Sequence, residues 1–264
     1  MKILVTNDDG VFAPGLASLA KSLEALGEVV IAAPATEQSG VGHSITYLTP
    51  LTCKSIHRDG KHWAYAVDGS PADCVKLAVT EIFKEEPVDL VVSGINSGLN
   101  SGISVLYSGT VAAAIEGAFF GIPSLAVSLE YDADADFDRA AELCRPVVDQ
   151  IAKHCVGHDR NEPGPLFNMN IPTAATREPA PAEPAVVPMG LGQYGRSYEM
   201  RRDPKGRRYY WALWNEPPVP PPEDADVAVN REGRMTVTPL KFDMTDRRQI
   251  EEMRHWDLGS QRFT

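Results

Sequence analysis

Short apolar runs alternate with helix-patterned segments through the first half of this chain, and that alternation leaves it few folds. Ile3, Leu4 and Val5 lie in a run that reads as a buried strand over residues 2–6. A helix is expected to open at Pro14 and to present Leu16, Leu19, Leu23 and Leu26 on one face until Gly27 ends it. Val29 to Ala33 reads as a second strand, stopped by Pro34. Ser70-Pro71-Ala72-Asp73 supplies an N-cap, a proline at the first helical position and an early acid, which predicts a helix to about Lys84. Val88 to Ser93 and Ser124 to Ser128 read as further strands, and Thr110 to Phe119 and residues 137–154 as helices. Apolar strands separated by helices imply a parallel sheet covered on both faces. Right-handed crossovers make that an α/β fold: a Rossmann-like, three-layer, doubly wound and mostly parallel sheet.

The texture changes after Ile171-Pro172. Residues 173–192 are rich in Ala and Pro, and segments near 196–202 and 207–214 read as a hairpin around Asp203-Pro204-Lys205-Gly206. Pro217 to Pro222 reads as a stiff linker, Met235 to Leu240 as a strand and 245–256 as a terminal helix. The expected division is a catalytic core over 1–172 and a C-terminal extension over 173–264 that packs back on the core or reaches a partner subunit.

The arm pairs basic with aromatic residues in Arg201-Arg202 and Arg207-Arg208-Tyr209-Tyr210-Trp211, as some single-stranded nucleic-acid surfaces do. With 25 Lys+Arg against 36 Asp+Glu the formal net charge is −11, which opposes binding of a nucleic-acid polymer and favours a subunit contact. Cys53, Cys74, Cys144 and Cys155 form no close CxxC pair, so free thiols in a reducing compartment are expected. No leader-like stretch opens the chain and no run is long enough to span a membrane, so the expectation is a cytoplasmic protein without membrane attachment.

The chemistry gathers in three polar loops that follow strands. The first strand ends in Asn7-Asp8-Asp9-Gly10. Adjacent carboxylates at a strand end are costly to bury unless paired or bound to a cation, although Asp-Gly also makes an ordinary turn. The second loop is Glu37 to His43 (EQSGVGH) and the third is Gly94 to Gly102 (GINSGLNSG). In a parallel sheet the carboxyl ends of the strands share one edge, where ligands of open α/β sheets bind. Carboxylates, a Ser hydroxyl and an Asn amide oxygen are hard donors suited to Mg²⁺, Mn²⁺ or Ca²⁺. Tyr107-Ser108-Gly109-Thr110-Val111 then leads into a helix, and such a turn presents backbone N–H groups and hydroxyls to an anion; Ser108 equally suits a plain N-cap. There is no GxxxxGK[ST] motif, which excludes a P-loop NTPase.

NDDG, Ser39, VDGSPADCV (67–75), SGINSGLNSG (93–102) and YSGTVAAAIEG (107–117) occur in this order, followed by FNMNIP (167–172) and DVAVNREGRMTVTPL (226–240). Together they resemble the SurE family of stationary-phase survival proteins, which are metal-dependent 5′-nucleotidases. The resemblance implies a phosphohydrolase of nucleoside 5′-monophosphates with one divalent ion, Mg²⁺ or Mn²⁺, per subunit. It would place that metal on Asp8, Asp9, Ser39 and Asn96 and the phosphate-binding turn on Ser108, Gly109 and Thr110, with Asn96 also holding the phosphoryl oxygens. It also implies a homodimer or homotetramer that exchanges C-terminal arms. Ala112 departs from the family's usual Gly, and the proline-rich stretch 173–222 is less family-like. In the implied reaction Asp8, Asp9 and Asn96 form the catalytic group. Asp8 orients or deprotonates the attacking water, or attacks directly, with the water favoured. His43 is a candidate proton donor to the leaving oxygen, set against the ordinary structural role of a loop His. The alternatives are a broader phosphomonoesterase or exopolyphosphatase using the same site, and a non-catalytic nucleotide-binding module.

Overall fold

Alternation inside the first strand sets the layers. In the computed structural model, which describes residues 1–179, 181–192, 197–213 and 220–256, β1 (Lys2–Thr6) is buried along its whole length. Ile3 and Val5 enter one apolar cluster, and Leu4 enters another on the opposite face. The first cluster is closed by α1 (Pro14–Leu23) and α4 (Phe137–Cys155), through Leu16, Leu19, Cys144 and Val148. The second is closed by α2 (Pro71–Leu77) and α3 (Gly109–Phe119), through Val75 and Ala113.

The remaining strands are β2 (Glu28–Pro34), β3 (Cys53–Arg58), β4 (Lys61–Val67), β5 (Leu90–Ser97), β6 (Ser124–Leu129), β7 (Leu166–Ile171), β8 (Ala185–Val186), β9 (Ser197–Arg202), β10 (Arg208–Leu213) and β11 (Thr236–Leu240). Three short α-helices, α5 (Thr173–Arg177), α6 (Asp226–Arg231) and α7 (Arg247–Met253), and a 3₁₀ turn, Gly102–Leu106, are also present. Nine strands form one sheet in the order β3-β4-β2-β1-β5-β6-β7-β11-β8. Neighbours from β4 to β7 run parallel. β3 and β11 join antiparallel at the two sides. The chain builds outward from β1 through β2 to β4, then returns to place β5 on the other side of β1. The carboxyl ends of β1 and β5 therefore flank the switch point, where open α/β sheets form a crevice.

The α/β, doubly wound expectation is met, with particular departures. The helix opened by Ser70 starts as expected, with Ser70 and Asp73 capping each other reciprocally. It stays α-helical only to Leu77 and then widens into a π turn, Ala78–Ile82, where the Thr80 hydroxyl takes the Lys76 carbonyl. α1 ends at Leu23, and Leu26 packs on the core from the following turn. β3 carries Lys54, His57 and Arg58 on an exposed edge, so no apolar alternation betrays it. β7 was visible only as a motif, because Asn168 and Asn170 place amides inside a buried strand. In the C-terminal stretch, β11 re-enters the main sheet beside β7, and β9 with β10 forms a separate two-stranded hairpin. Of the proline-rich linker, residues 217–219 lie outside the described residues. All four cysteines are free thiols, and burial pushes that of Cys144 up to about 12.

Candidate active site

The turn after β1 is closed by its own asparagine. Asn7 Nδ2 donates to the Gly10 carbonyl (3.0 Å), and Gly10 N–H donates back to Asn7 Oδ1 (3.2 Å). Gly10 takes φ +100°, a conformation open to glycine, so Asp8 and Asp9 are presented from a fixed loop. Asp8 is buried and lies against the first turn of α3, where the Thr110 hydroxyl donates to its Oδ1. A side chain at Gly109 would bring a Cβ within 2.8 Å of Asp8 Cβ, so glycine is what lets the helix end approach the carboxylate. Ser108 caps that helix by accepting from Val111 N–H (3.2 Å).

Asp9 is half-buried and accepts a long hydrogen bond from Ser97 N–H (3.4 Å). Burial, and then the neighbouring Asp8 charge, raise its carboxyl to about 6. Burial also raises Asp8, opposed by the Thr110 hydrogen bonds. Two carboxylates strained in this way by desolvation and mutual repulsion are relieved by a cation.

Asn96 reaches the same crevice because β5 is irregular. Its pairing with β6 breaks after Ser93 and resumes at Asn96↔Ser128, and such a bulge re-aims side chains. Asn96 Nδ2 donates to the Gly98 carbonyl (2.7 Å), which leaves the amide oxygen as the group on offer. The loop beyond is held by residues far away in sequence. Asn100 N–H donates to Asn170 Oδ1 (2.8 Å), and Asn168 Nδ2 donates to the Asn100 carbonyl (2.7 Å). The fully buried Asp226 accepts from Gly102 N–H and from Gly190 N–H, both at 2.8 Å. The second loop is tied in by Gln38 N–H to the Asp8 carbonyl (2.8 Å) and Gly42 N–H to the Tyr107 carbonyl (3.0 Å).

These elements enclose a cavity of about 640 Å³. Asp8, Asp9, Ser39, Asn96 and Ser108 all line it, and so does Glu37, which accepts from the Ser39 hydroxyl (2.6 Å). Gly109 and Thr110 stand behind Asp8 rather than on the lining. His43 Nε2 lies 2.7 Å from Oε2 of the buried Glu116, and His43 is not among the described lining residues. Among the described lining residues there are three carboxylates and no Lys or Arg. No group of three or more His, Cys, Asp or Glu gathers as a metal cluster among the described residues, so a cation here would complete its shell with neutral Ser and Asn oxygens. That donor set fits a hard divalent ion. Sequence reasoning missed Glu37, the Thr110–Asp8 bond and the Asn168, Asn170 and Asp226 anchors. Asp226, one residue into a short helix, was legible only as part of a motif.

The family model described as "Survival protein SurE" matches residues 3–195. The chain belongs to the SurE family. It is 63% identical over 258 residues to the 5′-nucleotidase SurE of Rhodopirellula baltica, covering 98% of this chain and 99% of that one. It is 42% identical to the 5′-nucleotidase SurE of Moorella thermoacetica, with 96% and 95% covered. The crystal structure of the SurE protein from Aquifex aeolicus matches with a TM-score of 0.81 at 36% identity, over 96% of this chain and 98% of that one.

Proposed function

We propose that this SurE-family chain is a divalent-metal-dependent hydrolase that releases phosphate from nucleoside 5′-monophosphates. Its relatives from Rhodopirellula baltica and Moorella thermoacetica carry the name 5′-nucleotidase SurE. The observation that carries the mechanism is the sign of the cavity: three carboxylates line it, with no Lys or Arg among the described residues. A dianionic phosphate enters such a site only with a cation to offset the repulsion.

Asp8, Asp9, Ser39 and Asn96 are assigned to hold one Mg²⁺ or Mn²⁺ ion, which supplies Lewis acidity and the positive charge that the lining side chains lack. Asp8 is assigned to orient and deprotonate the attacking water. The Thr110 hydroxyl donates to its Oδ1 and so fixes how the carboxylate is turned. Ser108 and the N-terminal N–H groups of α3 favour the phosphoryl oxygens by hydrogen bonding and by the helix dipole. Gly109 and Thr110 act in this scheme by setting Asp8 against that helix end.

The hairpin of β9 and β10 is assigned to exchange between subunits of a homodimer or homotetramer. It exposes Tyr198, Tyr210 and Trp211, and two strands alone are marginally stable in water. Among the described residues no helix is long and apolar enough to cross a membrane, and a cytoplasmic location accords with four free thiols.

The test is phosphate release from 5′- and 3′-nucleotides and short polyphosphate, after chelation and with Mg²⁺ or Mn²⁺ restored, with Asp8→Asn alongside. Metal-restored turnover of 5′-monophosphates that is lost in the variant supports the reading. A folded wild-type protein inactive with every metal refutes it.

A further inference from the structure

Of the four residues assigned to the metal, Ser39 is the one farthest along the chain from the sheet. Asp8 and Asp9 follow β1 at once and Asn96 lies within β5, whereas Ser39 comes after the end of β2 at Pro34, in a loop that reaches β3 only at Cys53. The later part of that loop is tied to the start of α2. The Ser70 hydroxyl donates to the Ser44 carbonyl (2.6 Å), and the Asp73 carboxylate accepts from Thr46 N–H (2.9 Å) and from the Thr46 hydroxyl (2.7 Å).

The part that bears Ser39 has less to fix it. Glu37, Ser39 and Gly40 are exposed. Gly40 and Gly42 take left-handed backbone, φ +71° and +58°, and a Cβ on Gly40 would meet nothing within 4 Å. The backbone is held at Gln38 by the Asp8 carbonyl (2.8 Å) and at Gly42 by the Tyr107 carbonyl (3.0 Å). His43 follows, and its Nε2 lies 2.7 Å from Oε2 of Glu116 on α3. The Glu116 side chain is 5% exposed, and a carboxylate buried to that degree is costly unless hydrogen-bonded. The other cation near it, Lys76 Nζ, stands at 3.9 Å, beyond hydrogen-bond reach.

The same helix thus meets the site twice. Thr110 in its first turn donates to Asp8, and Glu116, about 9 Å further along a rigid helix, takes His43. We propose that His43 is a positioning residue, which registers the Ser39 loop on α3 through Glu116 and so sets Ser39 against Asp8. This rests on the metal-site reading of the same cavity.

Mn²⁺ binding is measured by titration calorimetry in wild type and four variants. His43 is exposed, so its truncation empties no core. In His43→Ala the Kd for Mn²⁺ is expected to rise about tenfold, as on loss of a group that orients a metal ligand. His43→Ala/Glu116→Gln, which leaves no buried charge behind, shows the same rise. His43→Gln, whose amide nitrogen replaces imidazole Nε2 as donor, stays within about twofold of wild type. Lys76→Met removes charge beside Glu116 without touching the loop, and also stays within about twofold. A Kd unchanged in both alanine variants, or raised equally in Lys76→Met, overturns the proposal.

A second readout needs no metal. In chelated protein the amides of Gln38 and Gly42 are expected to exchange faster in His43→Ala than in wild type or Lys76→Met. If wild type binds no Mn²⁺ but the exchange still depends on His43, the metal reading falls and the anchor stands. If wild type binds Mn²⁺ and neither Kd nor exchange responds to His43, the anchor alone falls.

Discussion

Asp8 and Gly109 are a matched pair, one carrying the charge and the other permitting its approach to a helix end. In Gly109→Ala the new Cβ meets Asp8 Cβ at 2.8 Å and Asp8 Oδ2 at 3.0 Å, so the carboxylate or the helix start has to shift. Displacement of a reacting group by about 1 Å costs on the order of 100-fold in rate. We expect kcat to fall by about that factor at saturating metal, with about 1–3 kcal/mol of stability lost to overpacking; steady-state kinetics and urea unfolding check the two parts. Asp9 makes an electrostatic prediction. Its folded pKa of about 6 lies above the ordinary 3.8, so in the metal-free protein the fold favours the protonated form. The stability that this carboxyl contributes is therefore complete below about pH 4 and is lost as pH rises through about 6. Metal affinity runs the opposite way, strengthening as pH rises through about 6, because the ion competes with that proton. Asp9→Asn is expected to abolish metal-dependent turnover while raising the Tm of chelated protein at pH 7 above that of chelated wild type. A lower Tm in calorimetry contradicts the assignment.

At the scale of elements, the loop after β5 is held from outside itself. Asp226, at the start of α6, joins Gly102 to Gly190 by accepting from both N–H groups and from Val227 N–H (2.7 Å). Three backbone donors oppose the burial that raises its carboxyl. An asparagine offers one acceptor oxygen where two are used, so Asp226→Asn leaves one of these N–H groups facing an NH₂. The expected cost is about 1–3 kcal/mol, with faster amide exchange at Gly102 and Gly190 than in wild type. Because that loop carries Leu99, Asn100 and Ser104 on the cavity wall, kcat/KM is expected to fall as well. Unchanged exchange at both glycines would show that the carboxylate is dispensable.

At the scale of the whole molecule, the β9–β10 hairpin stands apart from the main sheet among the described residues. The β9–β10 hairpin is paired only with itself in the described structure and exposes Tyr198, Met200, Tyr209, Tyr210 and Trp211. Apolar rings displayed together on a protein of net charge −11 suit a protein contact better than a polyanion. A Tyr210→Asp/Trp211→Asp variant is expected to move the light-scattering mass toward the single chain, with its circular dichroism spectrum retained. Retention of the wild-type mass would remove the hairpin from the assembly.

Much of this is legible in the sequence. Apolar runs and caps such as Ser70 act over a few residues, so the parallel α/β sheet and the start of α2 followed from local pattern. The paired Asp8 and Asp9 and the glycine-bearing loops pointed to one edge, because a parallel sheet collects its strand ends there. The exposed edge strand β3 and the amide-bearing β7 escaped because their partners, not their own patterns, make them strands. Only the tertiary structure decided that Thr110 serves Asp8 from behind the cavity, that His43 pairs with Glu116, and that Asp226 braces a loop 124 residues earlier. Local composition and spacing determine which elements form and what chemistry they carry. Which side chains meet depends on chain-distant packing, because hydrogen bonds form only over a few ångströms and folding alone sets those distances.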